Sequence, residues 1–555
     1  MKEIYGIAGA PGVVLAKAIY FEKNSGAEQA IEIDEAVEKA LEKVRRLYQK
    51  TLRELGEEHA KIFTAYEMLL EDTVLLDPIR SAILAGEEST AAVRKVTGQM
   101  ADILASKKNE YMRQRADDIR YVGELLADAI TGADGEFTLP DDGEKYILAA
   151  HELTPVDTMM FDCSRLAGLV TELGGATSHT VILAKSLGIP AVVGAAGLDQ
   201  GLNGATAYLD GYTGKLLIDP NENEKKSLLD RISEEERFLE HLDELKNSQA
   251  QTKDGERIAV CINIGKPSDL EGTEKEQIDG VGLFRSEFLY SSEKQKPTCK
   301  EQEKAYREVL QKVENVTIRT LDVGGDKQLS YLNMPKEDNP FLGNRGIRLC
   351  LGHPEIFSEQ LRAILLAGAG KKVKIMLPMV TSVSEIIRTK ELLDQVRSEL
   401  DREQLEYCRN VLVGIMIETP ASAVAADIFA KHSDFFSIGT NDLVQYMMAA
   451  DRGNAEVESL YNPYHPAVIR MIANVIQKGA EAGIEVSVCG DLAANTSFTR
   501  LLLGLGLKKF SVPLPMVSRI KDKISQISLT DAKLFAEAVL KAEDEEEIKK
   551  MLKGA

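Results

Sequence analysis

From Ile33 onward, apolar residues recur at spacings of three and four (Ile33, Val37, Leu41, Val44, Leu47), and charged residues fill the positions between them. The same spacing runs through 62–70, 91–104 and 119–130, which predicts a block of amphipathic helices over 32–130. Breaks are expected near Asp77-Pro78, Gly86 and 132–135. Before this block, 4–21 reads as strand and turn. After about 140 the period changes to short β-branched runs at 146–150, 166–170, 191–194 and 216–218, punctuated by Gly and Ala, which predicts a small α/β unit. A charged helix without a broad apolar face follows within 220–253 and reads as a connector.

From 254 the pattern becomes strand and helix in alternation. Eight strands are predicted, at 258–262, 280–284, 316–321, 373–377, 411–417, 435–438, 485–488 and 509–511. Eight parallel strands separated by helices are the count of a closed (β/α)8 barrel, whose chemistry gathers at the C-terminal strand ends. The expected fold class is therefore a multidomain α/β chain: a histidine-bearing α/β domain (1–31 and 131–219), an inserted helical domain (32–130), a linker helix (220–253) and a C-terminal TIM-type barrel (254–555).

Composition narrows the classes of function. The 555 residues carry 67 Lys+Arg against 88 Asp+Glu, a net charge of −21, and no basic stripe, which argues against a nucleic-acid partner. Residues 131–253 alone carry −11. Six scattered cysteines without a C-x-x-C pair predict neither a disulfide framework nor structural zinc. No run approaches the ~18 apolar residues of a membrane span, and the N-terminus does not read as a secretory signal, so the expected location is the cytoplasm.

Candidate chemistry falls in two places. The segment Gly174-Gly175-Ala176-Thr177-Ser178-His179-Thr180 directly precedes a predicted helix, where main-chain N–H groups and the helix dipole would favour an anion carried on His179. A helix-capping histidine is the alternative reading of that segment. At the barrel mouth, Arg285, Arg319, Arg345, Arg348 and Arg452 follow predicted strands or lie in the loops beyond them, and several guanidinium forks on one face indicate a small polyanionic substrate. Glu418 and Asp442 occupy successive strand ends as hard oxygen donors suited to Mg²⁺, although either could be a helix cap. Cys489 stands at the next strand end, as inert packing or as a proton donor to substrate.

Together the histidine loop, Gly282-Leu-Phe-Arg-Ser-Glu-Phe288, Asp322-Val-Gly-Gly-Asp-Lys327, Asn339-Pro-Phe-Leu-Gly-Asn-Arg-Gly-Ile-Arg348, Ile417-Glu-Thr-Pro420, Ser437-Ile-Gly-Thr-Asn-Asp-Leu443 and Asp451-Arg-Gly-Asn454 resemble the enzyme I family of the bacterial phosphoenolpyruvate:sugar phosphotransferase system. The likeness runs in one order along essentially the whole chain. It implies that His179 takes the phosphoryl group of phosphoenolpyruvate and passes it to a histidine of the phosphocarrier protein HPr, with pyruvate as product. It further implies Mg²⁺ on Glu418 and Asp442, substrate held by Arg285, Arg319, Arg345, Asn441 and Arg452 with Arg348 in support, protonation of the enolate by Cys489, and Thr158 hydrogen-bonded to the histidine. The helical block would dock the carrier, with Glu71, Asp72 and Arg115 in matching segments, and the barrel would form a homodimer.

Some positions depart from the family pattern. Ala176 and Lys185 stand where it usually has Arg, Asp491 where it has Glu, Asn344 where it has an aromatic and Val444 where it has Thr. The alternatives are a divergent paralogue serving another carrier in a regulatory phosphorelay, a non-catalytic docking protein that kept the fold, and a relative of pyruvate phosphate dikinase or phosphoenolpyruvate synthase. Those last enzymes place a large ATP-grasp domain ahead of the histidine domain, where this chain has only helices and no Gly-rich phosphate loop.

Overall fold

In a computed structural model of the chain, the described residues are 2–21, 31–54, 57–105, 110–132, 140, 142–153, 157, 161–175, 178–290, 296–324, 329, 331–332, 334–335, 337–454 and 456–554. The chain divides into two units, Met1–Phe238 and Leu239–Ala555.

The first unit is built on an eight-stranded mixed sheet. Its strands are β1 (Lys2–Tyr5), β2 (Ile7–Ala10), β3 (Val13–Phe21), β4 (Tyr146–Ala150), β5 (Leu166–Thr171), β6 (Ala191–Val193), β7 (Thr206–Asp210) and β8 (Lys215–Ile218), in the spatial order β1-β8-β7-β3-β4-β5-β6-β2. The run β3-β4-β5-β6 is parallel and the flanking pairs are antiparallel. Every residue of β4 is buried, because Ile147 and Ala149 enter the core on one face of the sheet while Leu148 and Ala150 enter the core on the other.

Between β3 and β4 the described residues form the helices α1 (Ile33–Glu54), α2 (Glu57–Leu70), α3 (Thr73–Leu84), α4 (Ser89–Ala105) and α5 (Glu110–Thr131). Their apolar stripes meet in one separate core around Phe63, Tyr66, Val93, Val122 and Leu126. Helix α3 overrides the break expected at Asp77-Pro78, since Pro78 lies within it. A proline there forfeits one main-chain hydrogen bond. The side chain of Asp72 caps the helix by accepting the Val74 N–H at 2.8 Å, and Leu75, Leu76 and Ile79 are buried, which offsets that loss.

Helix α6 (His179–Leu187) follows β5 and ends on Gly188, which adopts the left-handed conformation at φ 67°. Helix α7 (Glu222–Glu244) starts in a reciprocal cap between Asn221 and Glu224, and only Leu242 in it is buried, as the missing apolar face predicts.

In the second unit β9 (Ala259–Ile264), β10 (Val281–Phe284), β11 (Val316–Arg319), β12 (Val373–Leu377), β13 (Leu412–Ile417), β14 (Phe435–Gly439), β15 (Glu485–Cys489) and β16 (Lys509–Val512) close into a parallel barrel. These are the eight strands predicted from sequence, with ends shifted by at most two residues; β11 stops at Arg319 rather than 321. Leu283, Met376, Met416, Phe435 and Cys489 form their own buried cluster, drawn from five of the strands.

The helices of this unit are α8 (Cys299–Lys312), α9 (Ile347–Gly352), α10 (Pro354–Ala367), α11 (Val383–Arg402), α12 (Pro420–Val424), α13 (Ala426–Phe429), α14 (Thr440–Met448), α15 (Pro466–Glu481), α16 (Asp491–Ala494), α17 (Thr496–Gly504), α18 (Val517–Ser525), α19 (Leu529–Lys541) and α20 (Glu545–Lys553). All six cysteines are free thiols. Among the described residues no helix is long and apolar enough to cross a membrane.

Candidate active site

Arg319 is the last residue of β11, and its guanidinium is buried against two carboxylates: Glu287 Oε1 at 2.9 Å and Asp322 Oδ2 at 2.9 Å. Arg345, from the loop before α9, reaches Asp322 at 3.0 Å and Asp442 at 3.4 Å. Arg452 approaches the other oxygen of Asp442 at 3.9 Å. Charge therefore alternates along a continuous array from Glu287 through Arg319, Asp322, Arg345 and Asp442 to Arg452. Burial alone would make both central guanidiniums easier to deprotonate, but the facing carboxylates outweigh it and hold them firmly charged.

Glu418 directly follows β13 and is fully buried. Its Oε1 accepts the Met379 N–H at 2.6 Å, and Met379 adopts a left-handed conformation at φ 58°, a strained choice for a side chain of this size. Its Oε2 is buried with no hydrogen-bond partner. Gly439 lets the neighbouring strand close over this oxygen, since a Cβ there would lie 3.0 Å from it. Burial first, then repulsion from Asp442 and Asp322, pushes the Glu418 carboxyl up to about 8, against the pull of Arg319 and Arg345. An orphan carboxylate oxygen beside a second carboxylate is an incomplete set of hard ligands, suited to a divalent cation that draws further oxygens from substrate or water. No set of three or more His, Cys, Asp or Glu side chains forms a complete cage among the described residues.

Cys489 ends β15 with its Sγ 3.4 Å from the Ser437 hydroxyl and from the Ile438 carbonyl. Burial pushes its thiol above the ordinary range, so it is held protonated. Arg285, just beyond β10, is exposed, and its charge is felt at that thiol. Asn441 and Asp491 bond reciprocally: Nδ2 donates to Asp491 Oδ2 at 3.1 Å, and the Asp491 N–H donates to Asn441 Oδ1 at 2.9 Å. Arg348 donates to the carbonyls of Leu342 and Gly343 at 3.1 and 3.0 Å, bracing the loop that carries Arg345.

In the first unit, α6 begins at His179 with Ser178 as its N-cap residue; the His179 side chain and Thr158 lie outside the described residues. Glu71 and Asp72 occupy the corner between α2 and α3, where Glu71 approaches Arg45 at 3.6 Å and Asp72 caps α3. Arg115, on α5, pairs with Asp118 at 3.3 Å.

In the sequence Asp322 and Glu287 stand only within the quoted motifs, without a role of their own. Their signal was present all the same: a buried arginine requires carboxylate partners, and Asp322 is the acid nearest Arg319 in the chain, with Glu287 at the end of the neighbouring predicted strand.

Three family models match the chain in order: PEP-utilising enzyme, N-terminal, over 5–115; PEP-utilising enzyme, mobile domain, over 142–214; and PEP-utilising enzyme, PEP-binding domain, over 240–529. The phosphoenolpyruvate-protein phosphotransferase of Bacillus subtilis (strain 168) is 39% identical across 99% of this chain and 98% of its own length. The chain belongs to the phosphoenolpyruvate-protein phosphotransferase family. The relative of the same description from Haemophilus influenzae is also 39% identical over equal shares. The NMR solution structure of Enzyme I (nEIt) is 30% identical over 42% of this chain and 99% of its own, with a TM-score of 0.35. Within this family the array described above lies in the PEP-binding match, and His179 lies in the mobile-domain match.

Proposed function

We propose that this chain is a phosphoenolpyruvate-protein phosphotransferase that moves the phosphoryl group of phosphoenolpyruvate to His179 and then to a histidine of the phosphocarrier protein HPr, the first step of sugar uptake by the phosphotransferase system. The observation that carries this reading is the buried array Arg319–Asp322–Arg345–Asp442 beside the orphan oxygen of Glu418, set at the C-terminal ends of barrel strands.

Arg319, Arg345 and Arg452 hold the phosphate and carboxylate of the substrate, with Arg285 and Asn441 at the rim. The guanidiniums are already fixed by their carboxylate partners, so little reorganisation remains when the phosphoryl group loosens toward transfer. Glu418 and Asp442 would hold Mg²⁺, which supplies neutralisation of charge on the phosphate. The His179 imidazole forms a P–N bond as the bridging P–O bond breaks, leaving the enolate of pyruvate. Cys489 gives its Sγ proton to C3 of that enolate. Thr158 steadies the imidazole.

The division of labour follows the boundaries read from sequence: a histidine domain from 1–31 and 131–219, carrier docking on 32–130 through the corner at Glu71 and Asp72 and through Arg115, a linker at 220–253, and a substrate-binding, dimerising barrel from 254. Its place is the cytoplasm, where phosphoenolpyruvate is made. A direct test is exchange of labelled pyruvate into phosphoenolpyruvate with Mg²⁺ and no carrier. Exchange is expected, because the phosphoenzyme forms reversibly without HPr, and its absence would overturn the proposal.

A further inference from the structure

Strand β11 stops at Arg319, yet the chain remains buried through Leu321; the Thr320 N–H still reaches the Met376 carbonyl of β12 at 3.0 Å, but the Arg319 carbonyl and the Leu321 N–H take side-chain partners. Two side chains supply them. Ser286, just past β10, donates its hydroxyl to the Arg319 carbonyl at 2.9 Å. Gln360, on α10, accepts the Leu321 N–H on Oε1 at 3.0 Å and donates from Nε2 to Ser286 Oγ at 3.0 Å. The same Nε2 reaches the Tyr306 hydroxyl at 3.1 Å, and Tyr306 and Tyr290 both bond Gln302 Oε1, at 3.5 and 3.0 Å. Ser286, Gln360, Gln302, Tyr306 and Tyr290 are all essentially inaccessible to water.

A glutamine at a helix–barrel contact normally costs burial of a polar amide, so this one must serve the main chain it touches. What it touches is the strand end bearing Arg319 and Asp322 and, through Ser286, the strand end bearing Arg285 and Glu287.

We propose that Gln360 is a positioning residue for phosphoenolpyruvate: it locks the ends of β10 and β11 in register so that Arg319, Asp322 and Arg345 stand preassembled. This rests on the reading of the barrel mouth as the phosphoenolpyruvate site.

The test measures binding of phosphoenolpyruvate with Mg²⁺ by calorimetry in a His179→Ala background, where no transfer follows. Gln360→Met keeps the volume and removes all three of its hydrogen bonds, and Ser286→Ala removes the bond to the Arg319 carbonyl and the one to Gln360 while leaving Gln360 its bonds to Leu321 and Tyr306. Misplacement of a clamp on the order of 1 Å costs up to about 100-fold. Dissociation constants raised at least about tenfold by Gln360→Met and by a smaller factor by Ser286→Ala are expected, with Tyr306→Phe changing them less than about twofold. Should Gln360→Met fail to fold, Ser286→Ala decides alone. Variants that lower the melting temperature but bind phosphoenolpyruvate as the parent does would overturn the positioning role and leave the site assignment standing. A parent that binds no phosphoenolpyruvate at all would bring down the site assignment instead.

Discussion

Arg345 lays its guanidinium across both carboxylate oxygens of Asp322, Nη2 lying 3.1 Å from Oδ1 and 3.0 Å from Oδ2, with both side chains withdrawn from water. The pair is half of a larger device, because Oδ2 of the same carboxylate also holds Arg319, at 2.9 Å. One buried acid thus spaces two cations that would otherwise repel, and fixes them before any substrate arrives.

Replacing that acid tests whether spacing matters. Asp322→Asn keeps the shape and removes the charge both arginines share. Losing one member of a buried ionic group costs roughly 3–5 kcal/mol. A fall in kcat/KM for phosphoenolpyruvate of about 100-fold or more is expected, together with a lower unfolding temperature. Steady-state pyruvate formation and thermal unfolding measure the two effects.

The Glu418 carboxyl, pushed up to about 8 from an ordinary 4.5, gives a pH prediction with a definite sign. Between those values the folded chain holds a proton that the unfolded chain has lost. The contribution of this group to stability without metal is therefore fully present below about 4.5 and is lost as pH rises toward 8. A cation bound at the carboxylate must displace that proton, so Mg²⁺ should raise the unfolding temperature more at about pH 8 than at about pH 6. Thermal unfolding with and without Mg²⁺ checks this, and Glu418→Gln should abolish the difference.

The barrel was legible because its buried parallel strands are short continuous apolar runs; strand ends were less so, since hydrogen bonding rather than composition stops β11 at Arg319. Helix α3 was hidden by Pro78, whose local cost is overcome by the Asp72 cap and by burial of Leu75, Leu76 and Ile79. The placing of Arg319 and Arg345 at the barrel mouth was legible from their motifs, whereas the acids that pair with them were not. An acid's partner is fixed by the closure of the barrel, and Gln360 has no motif at all. The unpartnered Oε2 of Glu418 was not legible in the sequence, because it depends on how the barrel closes around that carboxylate.

Cys489 is buried and protonated, with its Sγ near Ser437 and Ile438. If it delivers the proton, Cys489→Ala should slow pyruvate formation by about 10²–10⁴-fold. Labelling of His179 within a single turnover should be affected far less. Rapid-quench measurement of phosphoenzyme and pyruvate separates the two steps.

The −11 carried by residues 131–253 predicts steering of a carrier with a basic face. The rate of phosphoryl transfer to HPr at limiting concentration should fall as salt rises from about 50 to about 500 mM, through slower association. A stopped-flow series at varied ionic strength reads this directly, and an invariant rate would remove the electrostatic account of partner choice.

The most direct measurement is incubation of the chain with phosphoenolpyruvate labelled in its phosphate, in the presence of Mg²⁺, followed by separation of the protein. One acid-labile label per chain in the parent protein and none in His179→Ala is the expected result. Undiminished labelling of His179→Ala would contradict the account at its centre.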